Sequence, residues 1–204
     1  MSPMLFSIKN RLIPTLLLSA GFAAISFWLR QAFNLSWNLN YTMNVLQASA
    51  VGLAVIVVMN AGLHKIFEVI WGGDYLAQCR LLLAHFQSQR TIHFVAGGFL
   101  AATEEMIFRG ILLESLMSKM GVGSREAIIL SALAFGIAHV IPDRRLAPFA
   151  LWAVFEGILL GILYALTRSL SVVMLAHFVN DTCGYALFAL ERKTGWLLRE
   201  GANP

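Results

Sequence analysis

Three charges stand in a stretch that is otherwise apolar. "AATEEMIFRG", residues 101–110, holds Glu104, Glu105 and Arg109. Further along, "FGIAHV" carries His139 one helical turn after Phe135, and "LAHFVND" carries His177, Asn180 and Asp181. A charged side chain near the centre of a bilayer costs about 2.5–3.5 kcal/mol on insertion scales, so the first three cost about 8–10 kcal/mol together unless paired. Pairing is available. Residues advance about 100° each around a helix, which sets Glu105 and Arg109 about 40° apart with the acid on the favourable N-terminal side. Glu104 lies about 140° from Arg109. The arginine is therefore expected to neutralise Glu105 and leave Glu104 as a free carboxylate facing elsewhere.

A free carboxylate with two imidazoles fits water-dependent cleavage of an amide, because such a site needs a base for the water and donors for the oxyanion. Rival constellations are missing from the sequence: there is no HExxH, no GxSxG, and neither Cys79 nor Cys183 is in helical register with a histidine. The two cysteines form no CxxC and read as small apolar fillers. Taken singly, each polar residue has a plain reading. A lone intramembrane histidine is usually a hydrogen-bonded packing residue. Glu156, beside the Gly157/Gly161 pair of "FEGILLG", reads as a cavity-lining or partner-contact residue on a closely packed helix. His93 precedes Glu104 on nearly the same face but about 16 Å away along the axis, and with His64 and His85 it reads as a solvated rim residue. Taken together, polar groups on restricted faces of three successive helices build a polar chamber.

The elements that must position these residues follow from the apolar windows. The chain is 204 residues long, 58% hydrophobic and 13% charged, with a mean hydropathy of +0.72. Soluble domains are nearer half apolar and a quarter charged, so composition alone specifies an integral membrane protein. Windows long enough to cross about 30 Å of hydrocarbon fall at about 12–29, 43–63, 95–118, 126–142, 147–167 and 170–190. The break between the second and third is too long for a simple loop. Its "DYLAQCRLLLAHF" sets Leu76, Arg80 and Leu83 at helical spacing, as an amphipathic interfacial helix does. The expected fold is all-α: about six transmembrane helices plus a short amphipathic interfacial helix, in a single transmembrane domain over 1–204. The polar catalytic chamber lies between helices 3, 4 and 6. The N-terminal run resembles a signal peptide's first two regions, but its apolar part continues past any cleavage point and is kept as a first span.

Orientation follows from the basic residues. With the N-terminus inside, the inner segments hold Lys9, Arg11, Lys65, Arg80, Arg90, Arg144, Arg145, Arg192, Lys193 and Arg199, against Arg30, Lys119, Arg125 and Arg168 outside. Ten against four places both termini in the cytoplasm. The compact design suggests a multi-pass protein of a bacterial inner membrane.

The three motifs resemble those of a known family. "EEMIFR" is similar to its E-E-x-x-x-R motif, "FGIAH" to F-x-x-x-H and "HFVND" to H-x-x-x-N/D. In this order on successive helices they resemble the CPBP family, the type II CAAX prenyl endopeptidases with bacteriocin-processing and Abi-like immunity relatives. The resemblance covers about residues 95–190. It implies an intramembrane endopeptidase of the glutamic type, in which Glu104 is the general base for water and His139 helps to hold that water. His177 and the residue one turn later then stabilise the oxyanion. Many relatives carry Asn at that later position, whose amide can donate. Here it is Asp181, and an ionised aspartate cannot. Asp181 stays protonated, or it orients His177 and keeps it charged, or Asn180 serves instead.

The expected partners are the lipid bilayer and a peptide or protein substrate at the membrane, with no nucleic acid and no cofactor. No metal is expected, because Arg109 beside the acids disfavours a dication. Zinc is the alternative, since two His with carboxylates could bind it. The competing functions are a non-catalytic bacteriocin-immunity or scaffold protein on the same fold and a small proton-relaying transporter. Depth sets one condition on the chamber. His177 lies about 9 Å shallower than Glu104 and His139, so either the "TRSLS" turn is sunk in the bundle or the span boundaries are displaced.

Overall fold

In the computed structural model the described residues are 12–36, 39, 43–86, 91–141 and 147–194. All of their regular structure is helical. Helix α1 is Leu12–Ala32 and α2 is Met43–Phe86. Helix α3, Thr91–Ile107, runs without a break into a π-helical segment, Phe108–Leu113, and then into α4, Glu114–Ser118. Helices α5 (Ser124–Val140), α6 (Ala147–Thr167) and α7 (Leu170–Thr194) complete the bundle. These bounds follow the apolar windows closely, because in lipid every backbone polar group must be satisfied within its own segment.

Among the described residues, three helices are long and apolar enough to cross a membrane by length and composition: Leu12–Ala32, Asn44–Gly72 and Ala150–Thr167. The outer surface is correspondingly greasy. Val69, Ile141 and Leu166 are among many large apolar side chains that point outward, while Glu105, Arg109 and His177 are buried. A soluble domain has the opposite arrangement. Hydrocarbon makes it the cheaper one, since charges can then pair inside the bundle.

Turn chemistry ends the helices where the sequence allows. Asn34 closes α1 with φ 49°. Its neighbour Leu35 donates its N–H back to the Arg30 carbonyl at 2.9 Å, a left-handed C-terminal cap. Arg168, with φ 50°, follows the last residue of α6 and stands two residues before α7 begins. Ser169, Leu170 and Ser171 that follow are buried, while the Arg168 side chain is 48% exposed.

Two expectations are corrected. The second span runs on past residue 63 to Gly72, where φ 47° and ψ −121° break the helical path and a second helix continues beyond the kink. Lys65 and Glu68 lie on this extended span as an i,i+3 ion pair at 3.0 Å, and His64 is half-buried beside them. Side chains beyond Gly72, including Leu76, Cys79, Arg80, Leu83 and His85, lie outside the described residues. So do Lys9, Arg11, Arg90, Arg144, Arg145, Arg192, Lys193 and Arg199 of the charge count. The second correction concerns Arg30. Counted as an outer-loop charge, it is 1% exposed and lies within the bundle, donating to the Gly110 carbonyl at 2.8 Å.

The core is assembled through small residues. Helix α5 packs on α6, α3 on both α1 and α7, and α2 on α7. A methyl built on Gly157 would stand 3.0 Å from Ala132 Cα, one on Gly161 3.0 Å from Ile128 Cγ2, and one on Gly136 2.7 Å from the Ala150 carbonyl oxygen. Close backbone approach of this kind is how helices associate in lipid, where no hydrophobic drive exists between them. Across the α3–α7 contact Gly98 does the same work, with its would-be methyl 2.8 Å from the Phe178 carbonyl oxygen.

Candidate active site

Glu105 is the hub of the buried polar cluster. Its Oε1 accepts from Arg109 at 2.6 Å and from His177 Nδ1 at 2.8 Å. The Glu105 and Arg109 side chains are both 0% exposed. The i,i+4 pairing read from the sequence is realised on α3 and the first turn of the π segment. Its second bond, to His177, was not anticipated, because it joins residues 72 positions apart. Arg109 also donates to the Gly157 carbonyl at 2.9 Å, tying this helix to α6 where the absence of a side chain opens the path.

The π segment makes this reach possible. A wide turn leaves carbonyls out of the ordinary ladder, and side chains from other helices receive two of them here. Ser131 of α5 donates to the Phe108 carbonyl at 2.8 Å, and Arg30 of α1 donates to that of Gly110.

His177 stands between two carboxylates. An ionised carboxylate can only accept, so His177 Nδ1 donates to Glu105. Its Nε2 faces Asp181 Oδ1 at 3.6 Å, one turn further along α7. Asp181 in turn accepts from Tyr185 at 3.0 Å and from Asn180 at 3.3 Å. Asp181 is thus beside His177 within ion-pair distance and hydrogen-bonded to Tyr185 and Asn180. Asn180 donates to Glu156 at 2.8 Å, so its amide is engaged with a buried carboxylate.

His139 donates its Nδ1–H to the Phe135 carbonyl at 2.8 Å. In the neutral ring this leaves Nε2 as an acceptor. The Phe135 side chain is a shared wall. The His139 ring lies 4.6 Å and the His177 ring 5.8 Å from its centroid, both edge-on, and the Arg109 guanidinium sits 4.8 Å from it. Phe135 is 1% exposed, which fixes both imidazoles around one apolar plate.

Glu104 is half-buried and has no hydrogen-bond or ion-pair partner among the described residues. It lies within electrostatic range of His177, Asp181, Glu105 and Arg109. The four residues taken as catalytic and their four supports thus come from α3, the π segment, α5 and α7. Glu105, Arg109, Phe135, His139, His177 and Asp181 form one chain of direct contacts, and Glu104 borders it. His93 is half-buried on α3.

Sequence reasoning missed a strand of this network. Trp152 Nε1 donates to Asn60 at 2.9 Å, and Asn60 donates to Asn180 at 3.4 Å. Asn60 joins α2 to the polar network. The signal was present: it is the lone polar side chain in "VGLAVIVVMNAGL", and such a residue faces the bundle interior by default. Among the described residues one group offers a cation three ligands. Glu156, His177 and Asp181 have donor atoms all within 4.8 Å of one another.

No curated protein and no solved structure matches the chain. A family model does, described as type II CAAX prenyl endopeptidase Rce1-like, over residues 87–183. That interval begins just before α3 and ends within α7, and it contains every side chain of the Glu105–His177 cluster. Residues 87–183, which hold this buried polar cluster, are similar to the type II CAAX prenyl endopeptidase Rce1-like family.

Proposed function

We propose that this chain is a six-span intramembrane endopeptidase that hydrolyses a peptide bond with water activated by Glu104. The observation that carries the reading is the division of labour between adjacent glutamates. Glu105 is consumed by Arg109 and His177, which leaves Glu104 as the unpaired carboxylate at the edge of the chamber.

The chemistry balances with these groups. Glu104 takes one proton from a water that the Nε2 of His139 helps to orient. The water oxygen bonds to the scissile carbonyl carbon, and the carbonyl oxygen takes up the negative charge. His177, flanked by Glu105 and Asp181, is held with protons on both ring nitrogens and donates from Nε2 to that oxyanion. The C–N bond then breaks as Glu104 returns its proton to the leaving amine. Asp181 acts by orienting His177. The substrate is a peptide or protein segment at the membrane, the chamber opens toward the cytoplasm, and both termini lie on that side. A bacterial inner membrane is the expected location.

Glu104→Gln tests this reading. In a comparison of membrane peptidomes, cleavage products should disappear with the variant while its thermal unfolding in detergent stays at the wild-type value. Persisting products would end the assignment and favour a non-catalytic immunity or scaffold role.

A second reading is favoured by the Glu156–His177–Asp181 group, whose donors suit zinc with water completing the shell. Glu105 would then orient the ligating His177 from behind, as carboxylates do for zinc-bound histidines. Arg109 lies close enough to Glu156 to oppose a dication there. Exhaustive chelation should leave cleavage intact. Abolition with specific rescue by zinc would replace the first reading with the second.

A further inference from the structure

We infer that Arg30, on the first helix and outside the family-matched interval, is a positioning residue for the Glu105–His177 pair, acting through the π segment. Three observations meet here. Arg30 is 1% exposed in a bundle where an arginine is costly to bury, so its place requires internal partners. It donates to the Gly110 carbonyl at 2.8 Å, 80 positions away in the chain. Gly110 lies one residue after Arg109 inside Phe108–Leu113, and a methyl on it would stand 2.9 Å from Arg30 Nη1. A side chain at this position would push the guanidinium tip away from that carbonyl.

The mechanical consequence follows from the geometry of a wide turn. Its extra residue is stable only where freed carbonyls find donors, and π segments of this kind concentrate at functional sites. Arg30 from α1 and Ser131 from α5 grip the segment on either side of Arg109. If the segment relaxed to a regular α-helix, every residue beyond the turn would rotate by about 100° relative to those before it. Arg109 would then lose its aim at Glu105 or at Gly157. Glu105 would in turn lose the partner that leaves its Oε1 placed for His177. Tyr164 and Glu114 lie within electrostatic range of the Arg30 charge and offset part of the cost of its burial.

The effect on turnover rests on the proposed function, whereas the effect on the π segment does not. Two readouts separate them. Full-length wild type, Arg30→Met and Arg30→Lys would be compared in detergent micelles by hydrogen exchange and by the ring nitrogen resonances of 15N-labelled histidine. Arg30→Met should raise exchange of the amides at 108–114 by about tenfold, the scale of one lost hydrogen bond from a charged donor. The His177 Nδ1 signal should move, while α6 amides keep their protection. Arg30→Lys, which keeps one donor, should restore most of both. In the peptidome assay Arg30→Met should lower product yield, again with rescue by lysine. Unchanged exchange at 108–114 with an unmoved His177 signal would overturn the inference. So would a uniform rise across all helices, which marks a merely structural arginine. Should Arg30→Met fail to fold, Ser131→Ala reads the other grip on the same segment, and unchanged exchange there would also overturn it. If Glu104→Gln still cleaves, the proposed function fails, while the exchange and nitrogen readouts continue to decide this inference.

Discussion

Two carboxylates on the same continuous helical run, Glu105 and Glu114, are each paired with an arginine, and the two pairs differ in almost everything else. Glu105 and Arg109 are 0% exposed, four residues apart, and share their charge with His177. Glu114 meets Arg168 at 2.8 Å across 54 positions, with the arginine 48% exposed at the α6–α7 turn and Tyr164 donating to the other carboxylate oxygen at 2.9 Å. The inner pair costs several kcal/mol of desolvation that only mutual contact and added hydrogen bonds offset. The outer pair is wet on one side and contributes about 0–1 kcal/mol. A buried ion pair is thus weak evidence for stability and better evidence for a site that needs a fixed charge.

Several substitutions test that contrast. The largest effect belongs to neither pair. Glu104→Gln should lower cleavage by about 10²–10⁴-fold, the range expected for loss of a general base, with the unfolding midpoint unchanged. Glu105→Ala strands Arg109 in the interior and should cost about 3–5 kcal/mol in denaturant unfolding. A cost below 1 kcal/mol would show that the guanidinium reaches water. Replacing both partners (Glu105→Leu with Arg109→Met) should recover much of that stability, because the apolar pair leaves no stranded charge. It should not recover cleavage, since His177 would have lost its anchor. Gly157→Val should cost about 1–3 kcal/mol by overpacking against Ala132 and closing the carbonyl to Arg109. Arg168→Gln should be the smallest, at about 0–1 kcal/mol and with diminishing effect as salt rises. A loss comparable to that of Glu105→Ala would erase the distinction between the two pairs.

Local rules made part of the site legible. The Glu105–Arg109 pairing follows from helical spacing alone. So does the freedom of Glu104, because two adjacent residues cannot both face one arginine. The close packing at Gly157 and Gly161 was equally readable, since small residues spaced by one turn admit another backbone. The grip of Ser131 and Arg30 on the π segment was not. Nothing in "FRGILL" departs from ordinary helix formers apart from one glycine, and the wide turn persists through donors supplied by other helices. Arg30 illustrates the error this produces. A charge rule places it in an outer loop, while the fold buries it against a carbonyl 80 positions away.

The sequence by itself determined that the chain is helical and membrane-embedded, and which faces carry the charges. Hydrocarbon forbids unsatisfied backbone, and periodicity is a property of each segment alone. Tertiary structure decided which carboxylate His177 would bind, that Arg30 would be buried, and that Asn60 and Tyr185 would join the polar network. Those outcomes depend on how deeply two glycine-lined helix contacts let their backbones approach, and such distances are set between segments.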